Sequence, residues 1–345
     1  MNSETIQVAV VGAGAFGKNH ARVYHQLAGK GDRVKLAAIV DSDVAKADAI
    51  AREYGARAFG SLEQMIQTRG EIQAASVAVP TAAHLQVART LIQAGIDVLI
   101  EKPLAASLAE ADELINLARQ YGRIAQAGHL ERFNPAVRAT LPLVTQPMFF
   151  EVHRLSVFTP RSLDVDVVLD LMIHDLDIVL SFVNSQVKEI RAVGLPILSR
   201  KVDIANVRME FENGCVANFT ASRVSTERVR KLRFFQPQQY ISIDYGRQDV
   251  IAFTVGEDEA GTPSVNPQIK MIKPPVTSQE PLEAELKSFL SAVRSRNNPE
   301  VTLEAGRNAL KAALQIAAAI REHADKANLP IRPPMSAPKV NCKDL

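Results

Sequence analysis

The residues best suited to moving a proton lie in one apolar stretch. Between residues 167 and 183 nearly every side chain is hydrocarbon. The exceptions Asp170, His174 and Asp177 recur at i, i+4 and i+7, with Asp175 off that line. This spacing predicts a single helix with a polar stripe. A helix apolar on almost every side is buried, so its polar groups must meet internal partners or a wet cavity. An aspartate one turn from a histidine holds the imidazole's orientation and tautomer and stabilises its cation, which suits a general base near neutral pH. A single buried histidine would be read as core packing; the Asp170–His174 pair favours catalysis.

Two further stretches carry chemistry. Val98-Leu99-Ile100-Glu101-Lys102-Pro103 has buried-strand character and ends abruptly in a charged pair and a proline. A strand buried on both faces of a parallel sheet carries charge only where it leaves the sheet, at the carboxyl edge where open α/β sheets bind ligands. Lys102 is therefore expected to point into a cleft, a surface salt bridge at the strand end being the alternative. Gly12-Ala13-Gly14-Ala15-Phe16-Gly17 follows a six-residue apolar run and precedes a helical pattern over 18–27. Gly12 permits a tight turn, Gly14 lets the backbone approach a pyrophosphate, Gly17 allows close helix–strand packing, and the helix N-terminus offers N–H groups to the anion. Asp41 ends the next strand pattern, 34–40, placed to bind the adenosine ribose diol, where its charge would repel a 2′-phosphate and favour NAD over NADP. A structural turn with an unrelated surface aspartate is the bland alternative.

The elements that must position these residues alternate. A helix over 44–54, a short strand at 56–59, a helix begun by Ser61 with Gln64 as capping box, and a strand over 74–79 closed by Pro80-Thr81 follow in turn. Thr81 is expected to N-cap a helix through His84 to Ala94, with Pro80 and Thr81 at the edge that carries the glycine turn; His84 either touches cofactor or packs at the helix start. Ser107 and Glu110 form another capping box, and 124–128 is a sixth strand. Five or six parallel strands with intervening helices read as a doubly wound α/β domain over 1–125. Gly128 to Pro135 then packs His129, Glu131, Arg132 and Asn134 at a strand exit, with Asn134 as N-cap and Pro135 at the first helical position. Beyond a strand at 149–157 and a polar loop at 159–166 containing Arg161, an open, mostly antiparallel sheet is expected, with a hairpin at Asn213-Gly214. Helices over 281–294 and 303–326 complete a second domain over 126–330, leaving a proline-rich tail at 331–345.

At 345 residues the chain suits two domains, and 47% hydrophobic content supplies their cores. With 40 Lys and Arg against 38 Asp and Glu, and no basic block, nucleic acid or membrane-surface partners have little electrostatic support. Cys215 and Cys342 form neither a metal cluster nor a disulfide framework, no third ligand at metal spacing accompanies the histidine and aspartates of the buried helix, and no secretory leader or spanning segment is visible. A soluble cytoplasmic protein without a metal is expected.

With the glycine turn, Asp41, Glu101-Lys102-Pro103 and Asp170 with His174 in this order, the sequence resembles the Gfo/Idh/MocA oxidoreductases over essentially its whole length. The resemblance implies an N-terminal Rossmann domain and a C-terminal α/β domain whose open sheet carries substrate and often makes the oligomer contact, so a homodimer or homotetramer is expected. It implies NAD as cofactor, held by Gly12 to Gly17, Asp41, Pro80, Thr81, His84, Glu101 and Lys102. Lys102 would position substrate and nicotinamide, and Asp170 with His174 would transfer the proton. The stretches 128–135 and 170–177 further resemble the branch that oxidises the 3-hydroxyl of UDP-N-acetylglucosamine. A diphosphate wants cations and amide donors, and Arg132, Asn134, Arg154 and Arg161 lie in the segments expected to line the substrate cleft, together with His129; surface or interdomain ion pairs are the alternative for each arginine. The expected reaction is hydride transfer from a sugar hydroxyl, with a free polyol such as inositol as alternative substrate, and a non-catalytic NAD- and sugar-binding regulator as the rival of another class.

Overall fold

Short runs dominated by Val, Ile, Leu and Ala build the first sheet of the computed structural model, which describes residues 5–68, 72–159, 165–255 and 269–327. Strands and helices alternate: β1 (Ile6–Val11), α1 (Ala15–Gly29), β2 (Val34–Val40), α2 (Val44–Tyr54), β3 (Arg57–Phe59), α3 (Leu62–Ile66), β4 (Ala74–Val77), α4 (His84–Gln93), β5 (Asp97–Glu101), α5 (Leu108–Gln120) and β6 (Ala125–Gly128). All six strands are parallel, in the order β3-β2-β1-β4-β5-β6. The order reverses between β1 and β4, so the crevice outside their carboxyl ends is the expected ligand site. Ser61 and Ser107 cap their helices as expected, Gln64 N–H donating to Ser61 Oγ at 3.4 Å and Glu110 N–H to Ser107 Oγ at 3.2 Å, while the side chains of Gln64 and Glu110 accept from the residue before each cap, Gly60 N–H at 3.1 Å and Ala106 N–H at 3.0 Å. Thr81 does not cap as expected. It begins a 3-10 turn, Thr81–Ala83, and α4 starts only at His84.

The second unit begins with α6 (Pro135–Thr140), capped as expected by Asn134, whose Oδ1 accepts from Ala136 N–H at 3.1 Å. Strand β7 (Phe149–Val157) follows. The helix expected over 167–183 is interrupted: a π-helical turn, Val168–Met172, precedes α7 (Ile173–Val183). Asp166 Oδ1 anchors that turn by accepting from Val168 and Leu169 N–H at 3.1 and 3.0 Å. Asp170 thus lies in the π turn and His174 in the first turn of α7. Strands β8 (Val187–Leu195), β9 (Ile204–Phe211), β10 (Val216–Ser225), β11 (Val229–Gln236), β12 (Gln239–Asp244), β13 (Asp249–Val255) and β14 (Ile269–Ile272) complete a sheet ordered β14-β13-β12-β11-β7-β10-β9-β8. Among the described residues of this sheet only the β7–β10 pair is parallel, and the expected Asn213-Gly214 turn joins β9 to β10. Alternate residues face a buried side, where α7 packs with Phe182 edge-on to Phe234 at 5.8 Å. The other side carries a ladder of Phe149, Phe235, Tyr240 and Phe253, with successive centroids 5.6, 5.1 and 6.0 Å apart.

Two helices close the described chain, α8 (Pro281–Ser295) and α9 (Leu303–Lys326). Leu282–Leu310 groups with the first unit, although 126–330 was expected to form one domain. Leu286, Phe289, Leu290 and Val293 of α8 join the core formed by β1, β2 and α1. No helix among the described residues is long and apolar enough to cross a membrane.

Candidate active site

In the first unit the three glycines of the turn differ in what they permit. Gly12 has φ +102°, and a Cβ there would lie 2.5 Å from the Ala78 carbonyl oxygen; a Cβ on Gly17 would lie 1.7 Å from the Gly12 oxygen. These two are needed by the chain's own packing. A Cβ on Gly14 would meet nothing within 4 Å, so its space is open to a ligand. Helix α1 starts there with no side-chain cap, and its first helical bond is Lys18 N–H to Gly14 O at 2.9 Å. The N–H groups of Ala15, Phe16 and Gly17 precede that bond and suit a pyrophosphate. Ala13 is buried beneath, and its N–H donates to Asp41 Oδ2 at 2.6 Å, while Oδ1 accepts from Asp43 N–H at 2.8 Å. The turn and the Asp41 carboxylate are thereby held together. An open glycine, first-turn donors and an adjacent carboxylate fit a dinucleotide.

Strand β5 ends at Glu101, and Lys102 follows half-buried at the same carboxyl edge, where Pro80 is exposed and Thr81 half-buried after β4. Glu101 and His84, expected to bind cofactor, are both buried and hydrogen-bonded within the protein. Glu101 is buried, and its Oε1 accepts from His20 Nε2 at 2.9 Å. Burial opposes its charge, but the His20 hydrogen bond and the neighbouring Lys102 prevail and hold its carboxyl below the usual range. His84 is buried with Nδ1 3.0 Å from the Pro103 carbonyl oxygen and Nε2 2.9 Å from that of Val79. Burial lowers its pKa against those hydrogen bonds. Its ring ties the turn after β5 to the loop after β4, which is the packing alternative. His20 itself was not singled out from the sequence.

The second unit carries the proposed base. His174 lies in the first turn of α7, 9% exposed, with Asp170 half-buried in the π turn before it. Such π insertions in helices are frequent at functional sites. The rotation of α7 is set by two arginines. Arg154 Nε and one terminal nitrogen donate to Asp175 at 2.6 and 2.9 Å, and its other nitrogen donates to Glu131 at 3.1 Å. Its guanidinium carbon lies 5.2 Å from the Tyr245 ring centroid. Burial disfavours the Arg154 charge, yet the Asp175 and Glu131 carboxylates outweigh it and raise its pKa; burial likewise raises that of Asp175, against the pull of Arg154. Arg132 Nε and NH2 chelate Asp177 at 2.6 and 3.1 Å.

The residues expected to line the substrate cleft differ in what already holds them. Arg154 is 4% exposed and spent on two carboxylates, and Asn134 is buried with Oδ1 capping α6 and Nδ2 donating to Glu131 Oε2 and the Tyr245 carbonyl at 3.2 and 3.1 Å. Arg132 is engaged by Asp177 but keeps a partly exposed edge, and His129 is buried directly after β6. Arg161 lies outside the described residues.

The profile described as an oxidoreductase family with an NAD-binding Rossmann fold, Gfo/Idh/MocA, matches residues 6–129, and the family's C-terminal-domain profile matches 146–240. UDP-N-acetylglucosamine 3-dehydrogenase of Acidithiobacillus ferrooxidans is 34% identical over 91% of this chain and 97% of its own. A solved structure of that enzyme superposes with a TM-score of 0.83 over 92% of this chain and 98% of its own, at 33% identity. Inositol 2-dehydrogenase of Rubrobacter xylanophilus is 29% identical over 56% of this chain and 57% of its own. Identity of this degree over nearly the full length, on a fold with the glycine turn and carboxylate in place, means that the chain belongs to the Gfo/Idh/MocA family of NAD-binding oxidoreductases.

Proposed function

We propose that this enzyme oxidises the 3-hydroxyl of UDP-N-acetylglucosamine to the 3-keto sugar nucleotide. The observation that carries the reading is the 34% identity to an enzyme of that name across nearly the whole of both chains. The inositol 2-dehydrogenase likeness supports the second reading, a free polyol, but reaches only about half of each chain.

In this reading the first-turn N–H groups of α1 take the cofactor's pyrophosphate and Asp41 takes its ribose. Bound NAD supplies the hydride acceptor for the carbinol C–H. His174 removes the hydroxyl proton, with Asp170 orienting the imidazole. Lys102 donates to the same oxygen and stabilises the negative charge that builds on it as the proton leaves. The ketone is formed when the C–H bond has given up its electron pair.

We further propose that the half-exposed side of the second sheet meets a second copy of this chain. The aromatic ladder continues in register to Met271, 64% exposed, beside Ile269, 70% exposed, an apolar strip of the kind that marks an interface. Light scattering on the purified protein should give the mass of a dimer or tetramer, and a monomer would remove this proposal.

The substrate is tested by following reduced-nicotinamide absorbance with NAD and a panel of UDP-N-acetylglucosamine, UDP-glucose, inositol and glucose, with a ketone trap to pull an unfavourable equilibrium. Turnover confined to UDP-N-acetylglucosamine supports the reading. Turnover of inositol alone would replace it with the second.

A further inference from the structure

The turn that carries Lys102 is gripped by buried groups on both sides. On the strand side, Glu101 places one carboxylate oxygen on His20 Nε2 at 2.9 Å, and the other accepts the backbone N–H of Lys102 itself at 3.3 Å. On the far side, His84 faces the Pro103 carbonyl oxygen at 3.0 Å. Room for the Glu101 carboxylate is made by a glycine on the neighbouring strand: a Cβ on Gly128 would lie 2.9 Å from Glu101 Cα and 3.3 Å from its Cδ. His20 is fully buried and belongs to α1, the helix whose first turn offers its N–H groups to the dinucleotide. One turn further on, Tyr24 and Ser76 share a buried hydroxyl hydrogen bond at 2.9 Å, a second tie between α1 and the sheet. The cofactor-binding helix is thus fastened to the strand end that carries the lysine.

We propose that His20 is a positioning residue for the reaction: by holding the Glu101 carboxylate it fixes the backbone and ammonium of Lys102 relative to the dinucleotide turn. Being fully buried, it acts through Glu101 and needs no contact with substrate. The proposal rests on the role given to Lys102 above. A buried histidine tied only to core stability would lower thermal stability without selecting the chemical step, whereas misplacement of a catalytic group by about 1 Å costs on the order of 100-fold in rate.

The test is a mutant cycle on the full-length enzyme with NAD and UDP-N-acetylglucosamine. His20→Leu removes the donor, His20→Gln keeps a donor of similar reach, and Lys102→Ala removes the group being positioned. His20→Leu is expected to lower kcat about 10- to 100-fold with both KM values and NADH affinity within about 2-fold, and His20→Gln to recover most of the loss. In the double variant His20→Leu/Lys102→Ala, kcat should fall no further than in Lys102→Ala alone. If His20→Leu does not fold, His20→Asn, whose amide is too short to reach Glu101, carries the same expectations. Multiplying losses in the double variant, a kcat within 2-fold of wild type for the donor-less variant, or parallel loss of NADH affinity would overturn the proposal. A fast Lys102→Ala enzyme would instead overturn the role of Lys102 and this proposal with it.

Discussion

Arg154 is buried between two carboxylates in the second unit, and replacing it by Met tests whether its cluster is dry. The side chain is 4% exposed and makes three charge-assisted hydrogen bonds, two to Asp175 and one to Glu131. Arg154→Met keeps most of the volume but leaves two buried carboxylates facing each other. Breaking a buried pair in this way costs about 3–5 kcal/mol, because an uncompensated charge stays behind. At about 2–4 °C per kcal/mol for a unit of this size, the transition should drop by roughly 6–20 °C. Asp175 already has a pKa raised by burial, and without Arg154 it rises further. A carboxyl whose folded pKa lies above its unfolded value binds its proton more tightly when folded, so the deficit should shrink as pH is lowered from about 7 to about 5. The triple variant Arg154→Met/Asp175→Asn/Glu131→Gln removes every charge and should recover most of the loss. Calorimetry of the two variants across that pH range is the assay. A single variant within about 2 °C of wild type, or a triple variant less stable than the single, would refute a desolvated cluster.

Gly14→Ala and Gly17→Ala should behave oppositely. The first meets open space, so the melting temperature should hold while NADH affinity, read by fluorescence titration, falls about 10-fold or more from the methyl in the pyrophosphate's place. The second drives a Cβ into the Gly12 carbonyl and should cost folding itself, seen as loss of soluble protein. Glu101 has a folded pKa held below its ordinary 4.5, so its contribution to stability is complete above that value and lost as pH falls through the folded one. Melting curves of Glu101→Gln should therefore be flatter than wild type below about pH 4.5, and an unchanged slope would deny the shift. His174→Asn should lower kcat by about 100- to 10,000-fold and shift or remove the acidic limb of the kcat/KM profile. An unchanged limb would exclude His174 as the base.

The Rossmann unit was legible because its signals are local. Glycines, caps and apolar runs each fix a few neighbouring residues, and the six strands appear in the expected order. What escaped depended on partners distant in sequence. His20 sits on the apolar face of α1 with Ala21, Tyr24 and Leu27, a position that implied a buried partner, but Glu101 is 81 residues away. Arg154 alternates with Phe150 and Val152 toward the core side of β7, so its burial was readable, and only folding supplies Asp175 and Glu131. Asn134 was seen as a cap, while the carbonyl of Tyr245 that takes its amide is 111 residues on. The π turn before α7 was hidden because a one-residue widening leaves the apolar pattern of a buried helix almost unchanged.

The most direct measurement of the central claim uses UDP-N-acetylglucosamine carrying deuterium at C3 of the sugar, incubated with NAD and the wild-type enzyme and followed by mass spectrometry of the reduced cofactor. Hydride transfer from C3 predicts reduced cofactor one deuterium heavier and a sugar nucleotide that has lost its label, with the reaction absent in His174→Asn and Lys102→Ala on the same time scale. Unlabelled reduced cofactor would place the oxidation at another carbon, and no reduction of NAD by this substrate under a ketone trap would contradict the assignment altogether.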